Sequence, residues 1–599
     1  MLLSSNGIAQ ILDDTTKLIY GAFSTKFFYK DAIKFDTGKE FDLDTTLTNV
    51  HLFEWSEKYN HEYQGLGNLG TALTPTFFQF PDVVGLTAGY NAYNLYATDP
   101  SRIKYFETRS PFIEFNLLLG GQGRSMGSFD YSRNIRERWN VGFNFRKLEA
   151  DKQIGAQSLR GDKNVREIAY DIYMSYESEN KKYSAMGYLS RFSHSVLETG
   201  GIRVTSEDPA ELFGYRDAAI YLRNAKSKDF RVDYHIYHQY RLTPYTQLYH
   251  SFRRNARQNI FRDYKLASNN TGFYPTPLIS QDSTQDVSNF TYLENEVGMK
   301  GKIGPFFYLG YLKRRDINHF YRYYKPFQKT SETYIGFNGR FDFSEKIKLG
   351  GDGEFLQNGN FKANAFIETP ILEGGYHAAR YEPSILQKAF LGNHAEWHNS
   401  FNPTFAFELY GNLKYENQFI SLKSGLSFNT IDNYIYFNEN KTPDQDGNPA
   451  NITTIKLDLK MNLPLHLHFK ANSRFTNVGG QASDLFRIPK IFATGGIYYD
   501  NFWFNSYMQV RIGVDGYFRT AHYANAYDPI TQQFFLQNDF ELDTYVVADA
   551  YFNAKIQSLI IFLKYNHVNQ AFNNGYLTTP FYTGLPRTFD IGFRWRWYD

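Results

Sequence analysis

From Ile455 to Leu463 the odd positions are apolar (Ile455, Leu457, Leu459, Met461, Leu463), and the even ones carry Lys456, Asp458, Lys460 and Asn462. After Pro464 the odd positions stay apolar through Leu465, Leu467, Phe469 and Ala471, set against His466, His468, Lys470 and Asn472. Alternation with period two puts the two classes on opposite faces of a β-strand. The pattern returns where Phe504, Met508, Val510, Ile512 and Val514 oppose Asn505, Gln509, Arg511 and Asp515. It returns again where Ile420, Leu422, Leu426 and Phe428 oppose Ser421, Lys423, Gly425 and Ser427. At the C terminus Phe589, Ile591, Phe593, Trp595 and Trp597 face away from Asp590, Gly592, Arg594 and Arg596. Such strands run about 9–14 residues, against about 5–6 in soluble sheets. Ten residues tilted near 45° rise about 23 Å, close to the ~25 Å apolar band of an outer-membrane barrel.

The connections alternate too. Fixing the C terminus on the periplasmic side predicts short turns near Lys555–Ser558, Asp500–Asn501, Asn462–Pro464, Tyr415–Asn417, Ser344–Glu345, Lys302–Gly304, Leu242–Pro244 and Glu179–Lys181. Between them fall long insertions at Arg519–Phe540, Thr476–Arg487, Ile431–Asn451, Asp316–Lys329, Asn255–Val287, Ser195–Ser227 and Glu149–Asn164. Short turns on one side and long loops on the other are the habit of outer-membrane barrels. The stretch Phe361–Ser400 reads as two extra strands or one folded loop. The expected fold is all-β: a transmembrane antiparallel β-barrel of about 20–22 strands over residues 101–599. Residues 1–100, with "DTGKEFDLDTTLTN" and "YQGLGNLGTALTPTFFQFPD", lack sustained alternation. They read as an N-terminal periplasmic or lumen-inserted, plug-like segment.

Composition narrows the alternatives. The 599 residues include no cysteine, which excludes disulfides, thiolate metal sites and cysteine nucleophiles. Lys+Arg number 64 against 62 Asp+Glu, so no nucleic-acid field is indicated. Aromatics reach 18% at a mean hydropathy of −0.50, which suits either soluble β-sandwiches or a barrel with aromatic girdles. No apolar run of about 18 residues is present to span as a helix. "YYDNFWF" and "FYRYY" place aromatics near the two expected interfaces. The opening "MLLSSNGIAQILDDTTK" shows no basic region followed by an apolar stretch, so an export signal is expected upstream of it.

"LGNLGT" (Leu66–Thr71), "YFETRSPF" (Tyr105–Phe112), "SRNIRERWNVGFNFRK" (Ser132–Lys147) and the closing "LPRTFDIGFRWRWYD" together resemble the "putative porin" family of Bacteroidetes-type bacteria. The resemblance covers nearly all of the chain from about Leu66 onward and implies an outer-membrane β-barrel of about this size. Its motifs are structural, so no catalytic residue carries over.

Chemistry-bearing motifs are sparse. His466 and His468 offer two ligands on one strand face, but no third can be named, and polar wall lining is the plainer reading. "NHAEWH" has the order H-x-E-x-H rather than H-E-x-x-H, and Asp444, Asp446, Gly447 and Asn448 lack the bidentate Glu of a calcium loop. No nucleophile elbow or phosphate cradle appears, so neither an enzyme nor a cofactor is expected. Two basic clusters, Arg253, Arg254 and Arg257 and then Lys313, Arg314 and Arg315, are expected at outer strand ends. There they would meet lipopolysaccharide phosphates, bias the mouth toward anions, or simply face solvent.

The leading expectation is a porin-like channel for passive diffusion of small hydrophilic solutes. Lys456, Asp458, Lys460, His466, His468, Lys470, Arg511, Asp515, Arg594 and Arg596 are its pore-lining candidates. The alternative is a plugged barrel, either an energy-coupled receptor-like importer or a structural or assembly partner of surface proteins. Expected partners are outer-membrane lipid and lipopolysaccharide and small solutes, with no nucleic acid and a homo-oligomer left open.

Overall fold

The computed structural model describes residues 21–598 apart from 159–160, 206–207, 270–271, 324–327 and 573, so most of the opening stretch lies outside the described residues. Twenty-two antiparallel strands close into one barrel. Each wall strand pairs with the next wall strand along the chain. The first, Phe112–Gly120, pairs with the last, Thr588–Tyr598, setting Tyr598 opposite Phe112. Closure leaves no strand edge and satisfies every ladder within the wall, which lipid demands. Among the described residues no helix is long and apolar enough to cross a membrane.

The hairpin that opened the sequence is one piece of this wall. Ala450–Leu463 pairs with Leu467–Gly480, Leu457 opposite Ser473 and Lys456 opposite Arg474. Leu465 and His466 turn the chain with positive φ of 64° and 60°. Around the ring the outward alternates are bare and apolar: Leu426 is 55% exposed and Ile335 65%. Inward residues such as Tyr237 and Phe307 are fully buried. A continuous apolar outer belt of this kind belongs in hydrocarbon. Val510 shares the outward alternation of Ile512 and Val514, yet its neighbours bury it completely.

At the end holding Phe112 and Tyr598 the connections are tight, as at 244–245, 304–305 and 557–558. At the other end loops such as 198–225, 520–544 and 567–587 are long. Several expected boundaries move. The turn placed at Asp500–Asn501 lies at 504–507, beyond strand Ile491–Trp503. The insertion placed at Asn255–Val287 shrinks to 264–283, because Thr246–Asp263 and Thr284–Ile303 continue the wall for 18 and 20 residues. Likewise Phe306–Tyr321 continues through Asp316, and Gln328–Asp342 follows it. Both basic clusters therefore sit inside strands, not at strand ends. Arg253, Arg257, Lys313 and Arg315 point inward to Asp233, Asp229, Glu354 and Glu332, while Arg254 and Arg314 point outward. Inward charge packed against other protein broke the apolar alternation there without breaking the ladder.

Phe361–Ser400 supplies both expected features. Phe361–Glu368 and Leu372–Tyr381 join the wall; the loop after them carries helix Ile385–Lys388 and a small hairpin, Ala389–Leu391 with Glu396–His398.

Residues 21–108 precede the first wall strand. Thr25–Phe28 lies between Phe41–Asp42 and Tyr105–Thr108 in a three-stranded sheet, and Tyr63–Gly65 pairs with Leu73–Pro75. Side chains on inward positions all round the ring reach this segment, so it lies inside the ring.

Candidate functional site

The segment is held by charge. Glu54 takes an ion pair from Arg124 at 2.6 Å, and the fully buried Arg124 also meets Asp590 at 2.7 Å. Glu57 is bonded to Lys564, itself 2.9 Å from Asp549. Glu62 is bonded to Arg474, and His51 lies 2.8 Å from Asp515. On the far side Lys34 meets Glu296 at 2.6 Å, Glu332 accepts from the Leu86 amide at 2.7 Å, and Arg315 donates to the Leu86 carbonyl at 2.7 Å. Lys555 and Arg596 donate to the Thr45 and Asp44 carbonyls at 2.7 and 2.5 Å. Burial holds the His51 imidazole down to about 4 in spite of Asp515, and pushes the Glu57 carboxyl up in spite of Lys564.

"LGNLGT" is the tightest wedge of the segment. Gly67 runs at φ +80°, and a Cβ there would stand 1.8 Å from the Thr583 carbonyl oxygen, so only glycine fits. Asn68 donates to the Asp151 carbonyl at 2.8 Å and to Asn164 at 3.0 Å. The carbonyl of Gly70 lies 2.7 Å from the buried His194.

The long loops close over the segment. Tyr93 of the segment and Tyr527 of loop 520–544 both donate to Glu198, at 3.2 and 3.4 Å. Burial there pushes the Glu198 carboxyl up to about 7. Gln533 donates to the Gly89 carbonyl at 3.2 Å, and Gln64 donates to the Asn525 carbonyl at 2.6 Å. Between segment and wall remains a cavity of about 90 Å³, bordered by Glu54, Glu57, His61, Asp549, His567 and Tyr576.

The ten sequence candidates divide. Asp515, Arg511 and Arg596 touch the segment: Asp515 through His51, Arg511 by donating to Thr48 at 3.2 Å, and Arg596 through the Asp44 carbonyl. Lys470 lies 3.0 Å from Asp515 and so borders the same contact. Lys456 lies among Arg474, Glu408 and Glu62, and Asp458 accepts from Asn472. Lys460 stands exposed at the inner rim. Arg594 donates to Asn116 at 3.1 Å. His468 stacks on Tyr498 and lies 2.9 Å from Asn462. His466 is not on the wall at all but in the 464–466 turn, so the histidine pair does not share a strand face.

In the other half of the ring sequence reasoning missed Arg146 with Glu167 at 2.7 Å and Asp229 with Arg231 at 2.6 Å, and it set Arg257, 2.6 Å from Asp229, at a strand end. Opposite charges two apart at inward positions, as in Asp229 and Arg231, are the signal that would have found them. Of the loop motifs, His394 of "NHAEWH" is stacked on Tyr274, and Asp446 accepts from the Asn448 amide at 2.8 Å in a hairpin turn.

Beneath residues 77–84 the inner face of strands 361–432 carries half-exposed charge. Glu373 meets Lys414 at 3.1 Å and Lys423 at 3.0 Å there.

The family model described as "Putative porin" matches residues 25–599. No curated protein matches the chain by sequence. Among solved structures it is similar to the FrpB iron transporter from Neisseria meningitidis (F5-1 variant). That match has a TM-score of 0.60 and 10% identity over 82% of this chain and 83% of that one. Copper transporter OprC gives a TM-score of 0.60 at 12% identity over 81% of each chain. The ferric yersiniabactin uptake receptor FyuA from Yersinia pestis gives 0.57 at 10% over 86% and 84%. At these identities the likeness is one of fold.

Proposed function

The chain belongs to the "Putative porin" family and sits in the outer membrane; from that premise we propose that it is a plugged-barrel importer, admitting a small solute only when residues 21–108 rearrange. The observation that carries the reading is the contact of that segment with the inner wall on every side, under loops 520–544 and 567–587. The sequence put an open passive channel first and the plugged barrel second; these contacts favour the second.

Magnitudes support a gate that needs help to open. A hydrogen bond to a charged group is worth roughly 1.5–3 kcal/mol net. Six or more such bonds dock the segment, so spontaneous release costs about 10 kcal/mol and occurs about once in 10⁷. Traffic through the barrel therefore requires solute binding, an energy input from the periplasmic side, or both. The related folds are named as iron and copper transporters and a ferric-chelate receptor, so metal ions and metal chelates are the first solutes to test.

Planar-bilayer recording tests the gate. The full chain is expected to be silent, and a chain lacking residues 21–108 to give large, stable steps. Large steps from the full chain would return the open porin to first place.

A further inference from the structure

The outward face of the wall is uneven in charge. Six strands, from Thr404–Glu416 to Met508–Arg519, place residues such as Leu413, Leu426, Ile455, Phe475, Ile497 and Ile512 outward. Among the described residues no lysine or arginine takes an outward position on them. The five strands from Trp139–Asp151 to Thr246–Asp263 differ: Lys147, Arg166, Arg191, Lys228, Arg254 and Arg262 all point outward.

Arg166 begins where the apolar belt stops, and Arg191, opposite Tyr170, and Arg254, opposite Tyr234, stand at the belt's upper part. On Lys163–Glu177 the outward residues from the tight-turn end are Tyr176, Met174, Ile172, Tyr170 and Ile168, and the next is Arg166. Ten residues of tilted strand place Arg166 about 23 Å above that end, the height of the belt's upper edge. The register gathers the group: Arg166 is opposite Ser195, which is opposite Lys228, and Lys226 is opposite Arg262. Lys226 lies within direct electrostatic reach of Arg262, Arg166 and Lys228.

Few counter-charges are supplied. Glu149 meets Lys147 at 3.2 Å and Lys163 at 3.8 Å, and it is opposite Arg166 in the ladder. Arg191 instead lies over the Phe230 ring at 5.4 Å and Arg254 over Tyr234 at 5.9 Å. An aromatic ring attracts a guanidinium without neutralising its charge. A cluster of like charges answered by so few carboxylates, reaching the headgroup level, calls for an anion with several phosphates.

We propose that the outward face of strands Trp139–Asp263 docks the phosphate groups of lipopolysaccharide in the outer leaflet. The strands across the ring, which place no lysine or arginine outward, make no such contact, so the bound lipid occupies one side of the barrel.

The test is retention of purified lipopolysaccharide by the detergent-solubilised full chain, read by native mass spectrometry. The comparison lipids are the same lipopolysaccharide after phosphatase treatment and phosphatidylglycerol. Wild type is expected to prefer the phosphorylated form about tenfold or more, and R166Q/R191Q/K228Q/R254Q to lose that preference. R136Q/K181Q/K182Q/K346Q, changed at exposed positions in the tight turns, is expected to keep it. Heat-modifiable migration verifies that each variant is folded. Equal retention by the first variant, equal loss by the second, or equal binding of dephosphorylated lipid or phosphatidylglycerol would overturn the proposal.

Discussion

Two hairpins of the wall, Ala450–Gly480 and Lys226–Asp263, alternate with the same period and face opposite fates. In the first, the inward Lys456, Asp458 and Lys460 stand half-buried or exposed. In the second, inward Asp229 and Tyr237 are sealed from solvent, Asp229 between Arg231 and Arg257. Arg231 reaches on to Asn94 of the inner segment at 2.7 Å. Alternation states which side a residue takes; only the three-dimensional neighbours state whether that side is wet or packed.

The contrast breaks first at Asp229. D229N leaves two guanidinium groups facing each other without their carboxylate, and a buried pair stripped of one partner loses about 3–5 kcal/mol. Urea midpoints of the folded barrel are expected to fall accordingly, with release of the inner segment preceding wall unfolding. Next in size is L457R on the outward face, expected to cost about 2–4 kcal/mol near the membrane midplane, while K456R costs little. Equal damage to assembly by both would reverse the face assignment.

The third prediction concerns pH. His51 is held neutral down to about 4, against 6.5 in water. Between those values the released segment takes up a proton that the docked one refuses. Docking therefore weakens as pH falls from 6.5 toward 4 and is fully restored above 6.5, by at most about 3 kcal/mol. H51Q is expected to flatten that window in the pH dependence of the release midpoint; an unchanged slope would remove His51 from the account. The smallest effect is K460Q, exposed at the inner rim, expected within about 0.5 kcal/mol of wild type.

The wall was legible because period-two alternation survives wherever one face meets lipid and the other meets water. It faded at Asn255–Val287 and Asp316–Lys329, where the inward side meets protein and accepts charge, ring and amide alike. The site was half legible. Lys470, Arg511, Asp515 and Arg596 could be assigned an inward face because they stand in cleanly alternating strands. Their partners His51, Thr48 and Asp44 were not found, because the inner segment has no period and its contacts lie hundreds of residues away in the chain. His466 was misplaced by two residues of turn, enough to move it off the wall.

The seam between Phe112–Gly120 and Thr588–Tyr598 carries a consequence for biogenesis. The ladder that makes the ring a ring joins the first wall strand to the last, so it cannot form until the final eleven residues are in place. Residues 21–108 are tethered a few residues from that seam and are the first part of the described chain to be synthesised. A charged segment gripped from all sides does not thread into a finished cylinder. On the proposed function, the wall is wrapped about its own stopper and the barrel is born shut.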